Sequence, residues 1–404
     1  MRIAITGASG FVGQQLVPLL EAANVEVLLA GRNVSDLTRL FPGRAVCDYA
    51  SLERRAMGCD ILVNLAVLNN DSNADLGAFQ KVNVDFLLEM YRVAGRCGVA
   101  QFIDVSSIRA LDPNDTTAYA VSKREGSAAL PALTGPTITT LFLPTLYHDV
   151  WSGKMAALNY LPARIARRLF VTFAALKPTL DIARIAEFVI CGDYQREVIL
   201  TDGQRNNSVF LFFKRSLDLG FAIAVVLALG WLMLIIWLVI RSTSRGPGIF
   251  SQTRVGRDGF AFTCYKFRTM ELGTAQLGTH EISTSSVTAV GAILRRTKLD
   301  ELPQVWNIVL NQMSLVGPRP CLPIQDQLVE ARRREGVLSM TPGITGLAQV
   351  NAIDMSDPEK LARWDSRYQK LQSLMLDLKI MLATAIGGGS GDRVRTAPQS
   401  QTEN

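Results

Sequence analysis

A chain of 404 residues with 48% hydrophobic composition has room for two or three domains, each with its own core. Its net charge of +6 and pI of about 9.0 give a modest basic excess, much of it after residue 240; no nucleic-acid recognition module accompanies it, so a membrane surface and phosphate-bearing substrates are the better match. Cys47, Cys59, Cys97, Cys191, Cys264 and Cys321 are scattered without a CxxC pair or nearby histidines, which argues against a zinc site or a disulfide framework and for a reducing compartment.

The opening stretch, MRIAITGASGFVGQQLVPLL, places a short apolar strand, Ile3 to Thr6, before Gly7, Gly10 and Gly13 and then a helical pattern. No secretory signal is expected, because the first six residues already form this strand. GxxGxxG between strand and helix is a dinucleotide fingerprint: glycines let the backbone approach a pyrophosphate held at the helix N-terminus. A second strand, Val25 to Asn33, ends in Arg32 where an NAD site usually has an acid, so Arg32 suits the extra phosphate of NADP. Asp48, after the third strand, is placed to reach the adenine amino group, and Asp60 to Val67 reads as a fourth buried strand. FIDVSSIRAL is a further strand ending in Ser106 and Ser107. Beyond it Tyr119 and Lys123 stand four apart, on one face of a helix. An ammonium beside a phenol stabilises phenolate, so Tyr119 can exchange a proton with a carbonyl or alcohol while a serine hydroxyl holds the same oxygen.

These residues resemble the extended short-chain dehydrogenase/reductases, the NAD-dependent epimerase/dehydratase family, over residues 1–205. The resemblance implies a Rossmann-like, doubly wound parallel sheet, with Ser107, Tyr119 and Lys123 as the catalytic group and Lys123 also touching the cofactor. Asn83 and Pro144 fall on family positions. Leu141, Phe142 and Leu143 stand where an arginine is common, His148 stands where glycine is common, and the substrate-binding portion is short.

Leu219 to Ile240, LGFAIAVVLALGWLMLIIWLVI, carries no charge and is long enough to cross the ~30 Å hydrocarbon core of a bilayer. Lys214 and Arg215 precede it, and Arg241 and Arg245 follow it. Basic residues at both ends do not suit a simple spanning helix. The expectation is a membrane helix, 217–240, that bends near Gly230-Trp231 and re-enters, leaving both flanking domains on one side; an ordinary membrane-spanning helix is the alternative.

After the apolar run, Gly246, Pro247, Gly256 and Gly259 mark turns around short strands. Lys266 and Arg268 alternate with aromatics, which on a strand puts both cations on one face, suited to a diphosphate. Asp300 and Glu301 are adjacent carboxylates preceded by Arg295, Arg296 and Lys298. A carboxylate can attack phosphorus while its neighbour holds a divalent metal against the diphosphate. Arg319, in a GPRP turn, can bind phosphoryl oxygens bidentately.

FKRSLD, the apolar helix, GPGIFSQTRVGRDG, YKFRTM, LDELPQ, MSLVGPRP and TPGITGLAQVN together resemble the bacterial sugar transferases, the monotopic polyprenol-phosphate phosphoglycosyl transferases, over residues 206–386. The resemblance implies a small α/β cytosolic domain, with Asp300 as nucleophile, Glu301 as the Mg2+ ligand, and Lys266, Arg268 and Arg319 on the phosphates. Three positions depart from that pattern: Gly230-Trp231 for a Ser-Pro pair, Gln312 for an acid and Thr341 for a basic residue. Residues 387–404 are polar and glycine-rich, with the composition of a disordered tail.

The combined expectation is a bifunctional enzyme of the bacterial inner membrane with both soluble domains in the cytosol. One domain reduces a nucleotide-linked 4-keto-6-deoxy sugar with NADP(H), NAD being the other choice. The second passes the sugar 1-phosphate from the UDP-sugar to undecaprenyl phosphate, starting O-antigen, capsule or exopolysaccharide synthesis. A UDP-linked N-acetylated 6-deoxyhexose fits both steps. A C4-epimerase or a non-catalytic scaffold are the alternatives for the first domain. A homodimer is left open, and no nucleic-acid partner is expected.

Overall fold

The computed structural model describes residues 1–69, 72, 74–148, 151, 153–273 and 287–387. The expected tail lies outside them from residue 388. The chain forms two compact units: Met1–Phe170 with Pro178–Asp202, and Val171–Lys177 with the chain from Gly203 onward.

In the first unit, β1 (Arg2–Thr6), β2 (Glu26–Ala30), β3 (Ala45–Cys47), β4 (Ile61–Asn64), β5 (Gln101–Ser107) and β6 (Thr137–Leu143) are joined by helical crossovers. β7 (Thr145–Tyr147) pairs with β8 (Thr179–Asp181) in a separate two-stranded sheet, and β9 (Glu197–Ile199) returns to the main one. The main sheet has seven parallel strands in the order β3-β2-β1-β4-β5-β6-β9. Strand side chains alternate between faces, and here both sets are apolar. Ile3, Ile5, Leu29, Val63 and Ile103 join one core, while Ala4, Leu28, Leu62 and Phe102 join the other. Helices therefore cover both faces, as expected of a doubly wound sheet. The order reverses between β1 and β4, opening a crevice at their carboxyl ends where ligands bind in such folds.

The second unit is organised along one helix, Ser208–Thr243, of 36 residues. At 1.5 Å per residue it is about 54 Å long. The expected break at Gly230 is absent: the helix runs unbroken through Gly230 and Trp231. Unlike proline, glycine keeps its N–H and only weakens the helix. The Trp231 Nε1 donates to the Ala228 carbonyl at 2.8 Å. Both ends of this helix nevertheless seat on the same domain. Near its start, Lys214 Nζ reaches Asp377 Oδ2 at 2.7 Å and the Val316 carbonyl at 3.0 Å, and Asp218 accepts from Ser314 Oγ and the Leu315 N–H. Near its end, Ile236 and Ile240 are buried with Phe267 and Leu294. Its other side exposes Phe212, Leu227, Trp231, Leu234 and Leu238, a surface made for lipid rather than water.

That domain holds an antiparallel hairpin, β10 (Ile249–Val255) with β11 (Ala261–Phe267), and a parallel pair, β12 (Ser314–Val316) with β13 (Gly343–Thr345). Helices Asp326–Arg334, Pro358–Leu371 and Leu374–Ala385 pack around them.

Candidate active sites

In the first unit the glycine turn is built for close approach. Gly7 has φ +71°, and a Cβ there would stand 2.6 Å from the Ala66 nitrogen; at Gly13 it would meet the Ala8 carbonyl oxygen at 2.4 Å. Helix Phe11–Ala22 starts at Gly10 without a side-chain cap, so its first N–H groups face the crevice. This cradle fits a dinucleotide pyrophosphate. Arg32 is exposed just past β2 and has no protein partner among the described residues, leaving its guanidinium available to a ribose phosphate. Asp48 is already engaged: its carboxylate caps helix Tyr49–Arg55 by accepting the Ser51 N–H at 2.8 Å and the Ser51 hydroxyl. Those bonds hold its carboxyl below the usual range.

Thr117 caps helix Ala118–Ala129, which places Tyr119 in the first turn and Lys123 one turn on. Lys123 is buried, and its Nζ donates to the Val105 carbonyl of β5 at 2.8 Å. Ser107, at the end of β5, accepts the Arg109 N–H through its hydroxyl at 3.3 Å. Tyr119 packs edge-on to Phe79, with the Arg109 guanidinium 6.0 Å from its ring centre. The fold thus brings the lysine to the strand that bears the serine. The Tyr119 hydroxyl, in contrast, has no bond to Ser107 or Lys123 among the described residues. Asn83 is buried, bridging the Leu68 backbone and the Ser122 hydroxyl, and so ties the loop after β4 to the helix carrying Lys123.

Sequence reading missed a polar row beneath this site. Thr6, Asn64 and Asp104 are register partners across β1, β4 and β5, and all three are buried. The Thr6 hydroxyl donates to Asn64 at 2.6 Å, and Asn64 donates to Asp104 at 3.0 Å. Burial pushes the Asp104 carboxyl up, against the pull of the Lys123 charge. The available signal was an acid set between apolar residues, Ile103 and Val105, in a strand buried on both faces.

In the second unit Lys298 adopts a left-handed conformation, φ +58°, and turns the chain into the tight segment Leu299–Gln304. There Glu301 meets Lys266 of β11 at 2.9 Å and Arg319 at 3.4 Å. Burial alone would raise the Glu301 carboxyl, but Lys266 and Arg319 outweigh it and hold it at about 2. Asp300 moves the other way. Burial and then the Glu301 charge push it up to about 6, with Lys266 and Arg295 opposing. Adjacent acids thus differ by environment: one is clamped by two cations, the other is left poised near neutrality. Lys266, Asp300, Glu301 and Arg319 come together as expected.

Arg268 does not join them in the same way. It lies just past β11, buried, with Nη2 donating to the Ser244 carbonyl at 3.1 Å and to its hydroxyl. Its Nε and Nη1 have no protein acceptor among the described residues, so the guanidinium keeps donors for an anion. Two supports escaped sequence reading. Arg332 pairs with Asp365 at 2.7 Å in the interior and donates to the Arg319 carbonyl at 2.9 Å, fixing the GPRP turn. Asn307, fully buried, donates to the Thr263 carbonyl and Gln312 Oε1 and accepts the Tyr265 N–H, locking the segment behind Asp300 to β11. Gln312 therefore supplies the acceptor oxygen that an acid would supply. No cluster of three metal-binding side chains occurs among the described residues. The donor set, one or two carboxylates, fits Mg2+ only with substrate phosphates completing its shell.

Residues 209–388 match the bacterial sugar transferase family, and residues 3–137 match the NAD-dependent epimerase/dehydratase family. Over 191 residues the chain is 35% identical to the UDP-glucose:undecaprenyl-phosphate glucose-1-phosphate transferase of Klebsiella pneumoniae, covering 45% of this chain. The chain spans 41% of that relative's own length. Over 193 residues it is 35% identical to the exopolysaccharide production protein PSS of Rhizobium leguminosarum bv. phaseoli, covering 44% of this chain and 94% of that protein. A solved structure of the Bordetella bronchiseptica enzyme WbmG in complex with NAD and UDP superposes with a TM-score of 0.39 at 18% identity, covering 49% of this chain and 72% of that one.

Proposed function

We propose a function for a chain that belongs to the bacterial sugar transferase family, with an NAD-dependent epimerase/dehydratase domain ahead of it: it finishes a nucleotide sugar and then transfers the sugar 1-phosphate to a membrane polyprenol phosphate. The single observation behind the transfer step is the divided pair. Asp300, unclaimed by any salt bridge among the described residues, is mostly ionised at pH 7 with a carboxyl at about 6. Its oxygen attacks the sugar-bearing phosphorus of a UDP-sugar. The bond to the bridging oxygen breaks, UMP leaves with the electron pair, and a sugar-phosphoryl aspartate remains. An oxygen of undecaprenyl phosphate then attacks the same phosphorus and releases the Asp300 carboxylate. Lys266 and Arg319 stand where charge grows on the phosphoryl oxygens. Glu301 is the residue for Mg2+, which would neutralise diphosphate charge.

In the first domain, Gly7, Gly10, Gly13 and Arg32 would hold NADP(H), with Asp48 beside the adenine and Lys123 near the ribose. The cofactor supplies the hydride for a 4-keto-6-deoxy sugar. Tyr119 gives the proton to the carbonyl oxygen, and Ser107 orients that oxygen. A second reading, a cofactor-binding scaffold, draws on the Tyr119 hydroxyl, which bonds neither Ser107 nor Lys123.

Because nucleotide sugars and NADPH are cytosolic, both domains face the cytosol of the inner membrane. Seating both ends of Ser208–Thr243 on one domain supports this arrangement without a break at Gly230. The test uses the full chain with undecaprenyl phosphate, Mg2+ and a panel of UDP-sugars, following UMP release and NADPH oxidation together. A 4-keto sugar that oxidises NADPH and then drives UMP release dependent on Asp300 supports both steps. UMP release from ordinary UDP-sugars with NADPH untouched removes the reductase.

A further inference from the structure

Helix Ala163–Leu176 belongs to neither proposed active site, and its outer face is unusual. Tyr160 is 90% exposed, Ile165 50% and Leu169 49%, and Leu161 and Leu176 are exposed beside them. At 100° per residue Ile165, Leu169 and Leu176 share one stripe. The opposite side is satisfied: Ala166 and Ala174 are buried, and Phe170 packs on Tyr147 and Trp151 at 4.5 and 4.4 Å. Its exposed side therefore carries isoleucine and leucine beside arginine, where a helix facing only water would be polar throughout.

Charge identifies what covers the stripe. Arg164 and Arg168 are exposed along one edge of it, and Arg167 is exposed further round the helix. From Trp151 to Leu180 the sequence has Lys154, Arg164, Arg167, Arg168 and Lys177 and no acid at all. An apolar stripe edged by arginine suits the headgroup boundary of an anionic bilayer.

Continuity with the membrane helix supplies the second observation. Asn207, which caps Ser208–Thr243, donates to the Val171 carbonyl at 3.2 Å. Gln204 donates to the Ala174 carbonyl at 2.6 Å. The entrance of the apolar helix is thus bonded to the second half of this one, and Leu211, Phe212 and Phe213 of its first turns are exposed.

We propose that Ala163–Leu176 is a second membrane contact, a basic amphipathic helix lying in the headgroup region of anionic lipid. It rests on the membrane association of Ser208–Thr243 but on neither catalytic assignment. It gives the dehydrogenase-like part of the chain its own hold on the bilayer in which the transferase finds its lipid acceptor.

The experiment places an environment-sensitive fluorophore at Leu169→Cys in the full chain, with the exposed Cys191 replaced by serine. A second variant carries the label at Leu227→Cys on the long helix as a control. Both go into nanodiscs containing phosphatidylglycerol and lipids spin-labelled at the headgroup or along the chain. The expected result is blue-shifted emission at Leu169 quenched by shallow labels, and quenching of Leu227 by deep ones. Combining Arg164→Glu and Arg168→Glu should abolish the Leu169 quenching and leave Leu227 quenched, as should phosphatidylcholine alone. Leu169 quenched by aqueous iodide and not by lipid labels overturns the proposal while Leu227 upholds the membrane helix. Blue-shifted emission without lipid quenching also overturns it, in favour of a protein surface such as a second copy. If neither site is quenched by lipid, the membrane reading fails with it.

Discussion

Two lysines divide the molecule. Lys266 reaches across to a carboxylate, Glu301, and the pair is joined by Arg319. Lys123 reaches back to a backbone carbonyl, Val105, while the phenol one turn away bonds neither it nor Ser107. The first site is assembled from the chain's own charges before any substrate arrives. The second provides a cradle and leaves the Tyr119 hydroxyl without a bond to either neighbour among the described residues. Preorganised charge is the larger source of catalysis where charge develops on phosphoryl oxygens. Hydride transfer relies instead on a cofactor that the protein positions.

The comparison breaks most sharply at Asp300. If Asp300 is the nucleophile, Asp300→Asn should lower UMP release about 10³-fold or more. NADPH oxidation should be unchanged. The same substitution should raise the melting temperature at pH 7.5. The sign follows from linkage: the folded carboxyl sits at about 6 and its ordinary value is 3.8, so the folded state holds the proton more tightly. Stability is lost as pH rises from 3.8 to 6 and stays lost above it. The gain in Asp300→Asn should therefore shrink at about pH 4. Glu301 runs opposite, contributing stability above 4.5 that disappears as pH falls towards 2. An Asp300→Asn protein that melts below wild type at pH 7.5 would argue that the carboxylate is structural.

Tyr119→Phe is the matching change in the other unit. If the phenol gives the proton, sugar reduction should fall roughly 10²-fold, with UMP release from a preformed substrate intact. Unchanged sugar turnover by the full chain leaves the scaffold reading standing, and the two units would then differ in kind rather than in degree of assembly.

The pH dependence of transfer is a gentler probe. If Asp300 is the nucleophile, the logarithm of the UMP-release rate should climb with unit slope up to a bend near 6 and then level, since only the ionised carboxylate would attack. The bend belongs to the Asp300/Glu301 pair rather than to one residue. In Lys266→Ala it should move up, because Lys266 lowers both carboxyls. A bend at about 4, the ordinary carboxylate range, would mean that Asp300 is not held in the environment described.

Much of this was legible locally. The strand-glycine-helix opening, the YxxxK pair and the LDELPQ and GPRP segments each carry their information within a few residues, and the sheet follows from short continuous apolar runs. What stayed hidden depends on distance along the chain. Arg332 and Asp365 are 33 residues apart on two helices, and nothing in either helix names its partner. The row Thr6, Asn64 and Asp104 exists only once the strand order is known. Arg268 shares an alternating pattern with Lys266, but the strand ends between them at Phe267 and its guanidinium turns to Ser244. Gly230 marked a weak point in the long helix, and packing at both ends overrode it.

The smallest effect is expected at Gln312, where the sequence departs from the transferase pattern. Asn307 Nδ2 has two hydrogens, one given to the Thr263 carbonyl at 2.6 Å and the other to Gln312 Oε1 at 2.8 Å. Gln312→Glu keeps that acceptor, so UMP release should stay within about threefold of wild type and stability within about 1 kcal/mol. Gln312→Leu removes the acceptor and leaves a buried N–H unpaired, which costs about 1–3 kcal/mol. The two variants separate charge from hydrogen bonding at one position. If glutamate is as damaging as leucine, the negative charge matters, because it sits behind the strand that carries Lys266 and would compete with Glu301 for it. If glutamate is silent and leucine is not, Gln312 serves only to hold Asn307, and through it the segment that positions Asp300. The preassembled site would then owe its geometry to a neutral bond behind it as much as to the charges in front.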